Sequence, residues 1–348
     1  MKKVFLTLLI SSAFTASFAQ TSKAIYTSGS YSEIGDFNPT DATFSNPQFA
    51  GNVITTPRDF IYDAKNGHVI YQDKTNGLVF STLSGNKINP KSLNMNTNVM
   101  APAYIPSSES VICFNVQKEF NGYGSNEENL FLSKIDVNKG TIKNLIKFSD
   151  LSFDNVSAPF YGKVTTQDRF TGKMTDKDVA ISKPIYVPEK DLYIVLIRDV
   201  TGTNRLYKIH VNSPTANVSS TRCDYNIIDM KHLVGTEIAK ALFFEKSGNN
   251  YELKVGDLNI TTNEMTNITY IKSFSSNGKT IIDNGSIKFN NDQSQLYVSS
   301  FEAGQTNIYN LNIDNNQNNS VKSFSGYIQF DFGFNESYYK PVTYSSIF

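Results

Sequence analysis

The stretch SIKFNNDQSQLYVSSFEAGQTNIYNLNID, residues 286–314, decides the fold. A short apolar segment, SIKF, meets a polar turn. A strongly apolar segment, LYVSS, follows, then a glycine-bearing turn, then IYNLNID, in which apolar and polar residues alternate. Two-residue alternation marks a strand with one buried face, and the Asn-, Ser- and Gly-rich joints suit tight reversals. Residues 286–314 therefore read as consecutive antiparallel strands.

The same grammar recurs. It appears at 59–88 (DFIYDAKNGHVIYQDKTNGLVFSTLSGNKI), and at 103–116 (AYIPSSESVICFNV) continued by 129–148 (NLFLSKIDVNKGTIKNLIKF). It returns at 184–211 (PIYVPEKDLYIVLIRDVTGTNRLYKIHV) and 240–271 (KALFFEKSGNNYELKVGDLNITTNEMTNITYI), the last lacking a clear first segment. Equivalent apolar strands centre on Ile70, Ile112, Tyr193, Phe243 and Tyr297, at steps of 42, 81, 50 and 54 residues. A four-stranded unit needs about 40–50 residues, which is the period of a propeller blade. Such a unit has two apolar faces and cannot bury both alone; radial stacking covers both. The expected fold is an all-β propeller of four-stranded antiparallel blades. Six blades are favoured and seven is the alternative, with 150–180 as an insertion or a degenerate blade. The tail segments GYIQFDFGF and KPVTYSSIF read as two strands of an incomplete blade, and the N-terminal KAIYTSGSY is expected to add its missing outer strands and close the ring.

Composition agrees. The 348-residue chain has 25 Phe and 19 Tyr but no Trp, and aromatic residues suit pleated sheets. Residues 1–19 read as a signal peptide: Lys2 and Lys3 precede a short apolar core, and Ser17-Phe18-Ala19 forms a small-x-small cleavage site. The expected product is an exported protein, periplasmic or extracellular, with residues 20–348 as one propeller domain. Lysine plus arginine and aspartate plus glutamate number 32 each, so there is no basic excess to serve a nucleic-acid partner. The terminal YSSIF resembles an outer-membrane barrel ending, but Ser346 breaks the alternation, and no membrane insertion is expected. Export permits a disulfide between Cys113 and Cys223; buried free thiols are the other reading.

The fifth unit resembles the PD40 repeat of TolB-like propellers. Phe289, Asp292, Leu296, Tyr297, Ser299, Gly304, Ile308 and Tyr309 follow that pattern in order, although DQSQ replaces the usual glycine turn. Pro106 and Pro188 stand where the repeat often has Ser-Pro-Asp-Gly. The resemblance implies the scaffold; no partner is carried over with it.

In a propeller, loops between second and third strands gather on one face although distant in sequence. The residues expected to converge there, as a ligand-binding surface, are Gln72, Asp73, Lys118, Phe120, Tyr123, Arg198, Asp199, Glu245, Phe301 and Glu302. Phe120 and Tyr123 lie in the longest such loop, 117–129; Phe160, Tyr161 and Phe170 anchor the second candidate rim at 158–180. Mixed aromatic and charged loops suit a glycan, a peptide or an envelope protein. The runner-up is a carbohydrate-active hydrolase or lyase using paired carboxylates, for which Asp73, Asp199, Glu245 and Glu302 are available. A structural envelope scaffold is the third class. No GxSxG, HExxH or CxxC occurs, and the histidines are His68, His210 and His232. No cofactor and no metal site is expected. Asp136, Asn138 and Gly140 resemble a calcium loop, but a turn with a glycine bulge accounts for them; a structural calcium in the channel stays open.

Overall fold

A computed structural model of the chain describes residues 22–28, 31–51, 60–64, 66–73, 77–84, 87–92, 99–120, 126–148, 162–167, 174–198, 202–212, 218–275 and 285–332. The leader at 1–19 and KPVTYSSIF lie outside these residues.

The strands fall into six antiparallel sheets. Three strands, β1 (Ser22–Ser28), β2 (Tyr31–Asn38) and β3 (Thr43–Gly51), open the chain. The second blade is β4 (Phe60–Asp63), β5 (His68–Asp73), β6 (Gly77–Ser84) and β7 (Lys87–Ser92). The third is β8 (Val99–Ile105), β9 (Ser110–Phe120), β10 (Asn126–Asp136) and β11 (Thr141–Phe148). A hairpin of β12 (Gly162–Gln167) and β13 (Met174–Ile181) precedes the fourth blade, which continues with β14 (Ile185–Val187), β15 (Leu192–Arg198), β16 (Asn204–His210) and β17 (Val218–Arg222). The fifth is β18 (Asn226–His232), β19 (Ile238–Ser247), β20 (Asn250–Asn259) and β21 (Met265–Ser275). The sixth is β22 (Ser286–Phe289), β23 (Leu296–Glu302), β24 (Gln305–Leu311) and β25 (Asn318–Ser325). The last described strand, β26 (Tyr327–Asp331), returns to pair with β1, with Ala24 opposite Phe330, and completes the first blade.

The burial gradient explains the sequence grammar. The second strand β15 is buried on both faces along most of its length, so it reads as the unbroken apolar run LYIVLI. The outermost strands β17 and β25 are exposed at nearly every position and carry VSSTR and NNSVKSFS. Six buried clusters each join two neighbouring blades. One packs Ala24, Phe37 and Phe330 of the first blade against Tyr297 and Ile308 of the sixth, so the ring is closed by side-chain packing as well as by strand pairing.

Three local details differ from the linear reading. The fifth blade does have a first strand: NIIDMKH at 226–232 is β18. The loop read at 117–129 is largely a hairpin, with Phe120 paired to Asn126. Within the 81-residue step, the end of β13 pairs with β15 through Ala180–Arg198 and Ile181–Ile197, and β14 then pairs with the other half of β15. The first strand of that blade is thus built in two pieces. Ser182 bridges the break: its N–H donates to Leu196 O at 2.9 Å and its hydroxyl accepts from Leu196 N at 2.9 Å.

Cys113 and Cys223 are free and buried in different clusters, one between the second and third blades and one between the fourth and fifth. The buried-thiol reading therefore replaces the disulfide. Burial pushes both thiols up from their ordinary pKa. Asp136 caps a turn, accepting from the N–H groups of Asn138 at 3.0 Å and Lys139 at 2.9 Å, with Gly140 at φ 67°.

Candidate functional site in the central channel

Stacking six blades turns the first strand of each toward a common axis. Those strands enclose a cavity of about 220 Å³, and all six contribute to its wall. Innermost strands run beside the channel, so their side chains border it even where they also pack into an inter-blade cluster, as Tyr104 and Phe330 do. Tyr62, Tyr104, Tyr186 and Phe289 give aromatic surface, while Asn290 and Gln293 belong to the turn after β22.

Three lysines share this wall: Lys183 just before β14, Lys231 in β18 and Lys288 in β22. Lys288 Nζ bonds Asp331 Oδ2 at 3.0 Å. Lys183 Nζ reaches the Gly285 carbonyl at 3.4 Å, a long contact. Lys231 has no hydrogen bond or ion pair among the described residues. Its surface is partly accessible, but that accessibility faces the channel. Burial, together with the nearby Lys288 and Lys183 ammoniums, pushes its pKa down to about 8, against the opposing pull of Asp229 and Asp331.

Asp229 lies behind the wall and is fully buried. Its Oδ2 accepts from Ser286 Oγ at 3.0 Å and Ile287 N at 2.9 Å, and its Oδ1 from Met230 N at 2.8 Å. These bonds tie the fifth blade to the sixth and leave the carboxylate committed. Two wall phenols are committed as well, Tyr104 to Asp63 at 3.0 Å and Tyr186 to Asp191 at 2.9 Å. Burial first, then these carboxylates, raises the pKa of both phenols.

Most of the described residues expected from sequence fall at second-strand ends. Gln72 and Asp73 end β5, Lys118 and Phe120 end β9, and Arg198 ends β15. Glu245 lies within β19, and Phe301 and Glu302 end β23. Tyr123 and Asp199, like Phe160, Tyr161 and Phe170, lie outside the described residues. The second-strand ends share one edge of the ring by topology, and among the described side chains Arg198, Glu245, Phe301 and Glu302 do not line the cavity. Several already have partners. Glu245 accepts from Lys254 at 2.7 Å, Glu302 accepts from Lys272 on the neighbouring blade, and Phe301 packs edge-on against Tyr327 at 5.2 Å. Arg198 has a buried Nε with no partner among the described residues. Among the described residues no three His, Cys, Asp or Glu side chains gather as a metal site.

The arrangement defines a six-bladed β-propeller with a cationic, aromatic-walled axial cavity. No family model matches the chain, and no curated protein matches it. Among solved structures it is similar to TolB from Acinetobacter baumannii, with a TM-score of 0.54 at 12% identity, over 88% of this chain and 65% of that one. A protein from Lactobacillus plantarum gives a TM-score of 0.47 at 12% identity, over 89% and 99% of the two chains. Sqt1 from Saccharomyces cerevisiae gives 0.40 at 10%, over 89% and 87%. The chain thus spans 65% of the length of the TolB structure. The likeness to TolB shows the fold.

Proposed function

We propose that this is an exported, non-catalytic recognition protein that receives the end of a peptide segment, free or part of an envelope protein, in its central channel. The leader-like N-terminus supports export. One observation carries the binding reading: an axial cavity walled by all six blades, more apolar than polar, with a few convergent polar groups. Its volume, about 220 Å³, falls below the roughly 300–1,000 Å³ of pockets that engulf a drug-sized ligand. It suits a chain end rather than an oligosaccharide. A hydrolase would need a pair of carboxylates facing across the site; the wall carboxylate Asp331 is instead bonded to Lys288.

The test is parallel screening of the purified protein on a glycan array and a short-peptide library, repeated with Val234→Trp, which narrows the cavity from its wall. Peptides retained by the wild type and lost by the variant are expected. Retention unchanged in the variant would move the site to the opposite loops, including Phe120 and Tyr123. Glycans retained in place of peptides would overturn the peptide reading.

A further inference from the structure

We infer that the lysine cluster of Lys183, Lys231 and Lys288 is a carboxylate-binding site, and that the group it takes is the C-terminal carboxylate of the incoming peptide. This rests on the peptide reading above and adds the chemistry of its end.

Three ammonium groups line one small cavity, and the acceptors around them are unequally shared. Lys288 has Asp331 at 3.0 Å and Lys183 has one distant carbonyl at 3.4 Å. Asp229 is occupied by Ser286, Ile287 and Met230. Lys231, between these groups, has no acceptor among the described residues. An ammonium is a three-donor group, and holding it without an acceptor in a partly desolvated wall beside like charges is unfavourable. Its depressed pKa has the same origin. A carboxylate entering the cavity would supply oxygen acceptors and cancel the excess positive charge at once.

The rest of the wall selects the carrier. Phe289, Pro184, Pro188 and Ile185 place apolar surface around the cluster. A C-terminal residue presents that combination, a carboxylate with an apolar side chain beside it, and capture of a chain-terminal carboxylate is a recurrent recognition mode. A narrow axial cavity also favours an end, because a chain can stop there without having to pass through.

The experiment uses N-acetylated pentapeptides without Asp or Glu, offered as free acids and as C-terminal amides and read by affinity selection with mass spectrometry. Glucuronate is a separate arm. Free acids should be retained at least tenfold better than the matching amides. Lys231→Met should bring the acids down to the amide level, and Lys183→Gln should lower them in part. Thermal melts of both variants check the fold; neither lysine makes an ion pair that its loss would break. Equal retention of acids and amides would overturn the inference while leaving the peptide reading in place. So would a Lys231→Met variant that keeps its preference for acids. Retention of glucuronate in place of peptides would replace the peptide end by an acidic sugar. Retention of neither peptide set would remove both proposals together.

Discussion

Lys288 on β22 and Asp331 on β26 form an ion pair at 3.0 Å across the seam between the sixth blade and the closing blade. Both side chains are mostly buried, so the bond works in a medium where one partner left alone is costly. The same pair sets the charge of the channel, because it ties up the wall carboxylate and leaves Lys231 unanswered. Asp331→Asn should lower stability by about 2 kcal/mol, less than the roughly 3–5 kcal/mol for a fully buried pair because both side chains keep some exposure, as read from urea unfolding midpoints. An unchanged midpoint would show that the pair adds nothing to closure.

Lys231 should give the protein a distinctive alkaline behaviour. Its folded pKa is about 8 against an ordinary 10.5. Below about pH 8 the ammonium is charged in both folded and unfolded chains, and the cost of holding it in the channel is fully felt. Between about pH 8 and 10.5 the folded protein sheds the proton first, so the cost is relieved and stability rises with pH. Lys231→Met removes this term. The stability advantage of the variant over wild type should be on the order of 2 kcal/mol at pH 7, discounted for channel water, and should shrink toward pH 10.5. Lys183, Lys288, Asp229 and Asp331 are the groups that face it, so the difference between the two proteins, not either curve alone, is the measurement.

A second buried ion pair lies within the fifth blade, and its hydrogen bonds to Asn316 and the Ile313 carbonyl tie that blade to the sixth. Lys240 Nζ lies 2.7 Å from Asp257 Oδ1 and 3.0 Å from Asn316 Oδ1, and it also donates to the Ile313 carbonyl. Lys240→Met should cost about 3–5 kcal/mol, because Asp257 would then be buried without its cation. Asp257→Asn in the same background should restore part of the loss; a double variant no more stable than the single one would argue against the charge as the cause.

Gly326 precedes the closing strand with φ 104°, and a Cβ there would stand 2.6 Å from the Tyr26 ring. Gly326→Ala must strain the backbone and displace Tyr26 together, so a loss of about 1–3 kcal/mol is expected. Its N–H also donates to Gly304 O at 2.8 Å. A variant with an unchanged thermal midpoint would show that this corner yields easily.

The ring was legible in the sequence because the second strands are apolar on both faces and recur at blade-length steps; Ile70, Ile112, Tyr193, Phe243 and Tyr297 all lie on them. The role of β26 was legible for the same reason, since GYIQFDFGF is an inner-strand pattern lacking outer partners. β18 was hidden because NIIDMKH mixes charges into an apolar strand. Those charges, Asp229 and Lys231, belong to the channel and the blade seam. The site escaped for a related reason. Lys183, Lys231 and Lys288 are single lysines at or beside the first strands of three blades, and nothing local to any one of them shows that a ring turns them toward one point. The loops that did look functional, at 72–73, 117–129 and 301–302, drew attention by composition. Glu245, Phe301 and Glu302 among them are held by neighbouring strands.

The first blade is assembled from segments far apart in sequence: β1, β2 and β3 precede the other five blades, and β26, which lies innermost, follows them. As the polypeptide emerges, β1 must wait as an unpaired edge while five further blades are synthesised. The channel is not closed around its lysines until β26 arrives. Any ligand read by the axis is therefore read only by a finished molecule, and a chain cut short before Asp331 would be both open and blind.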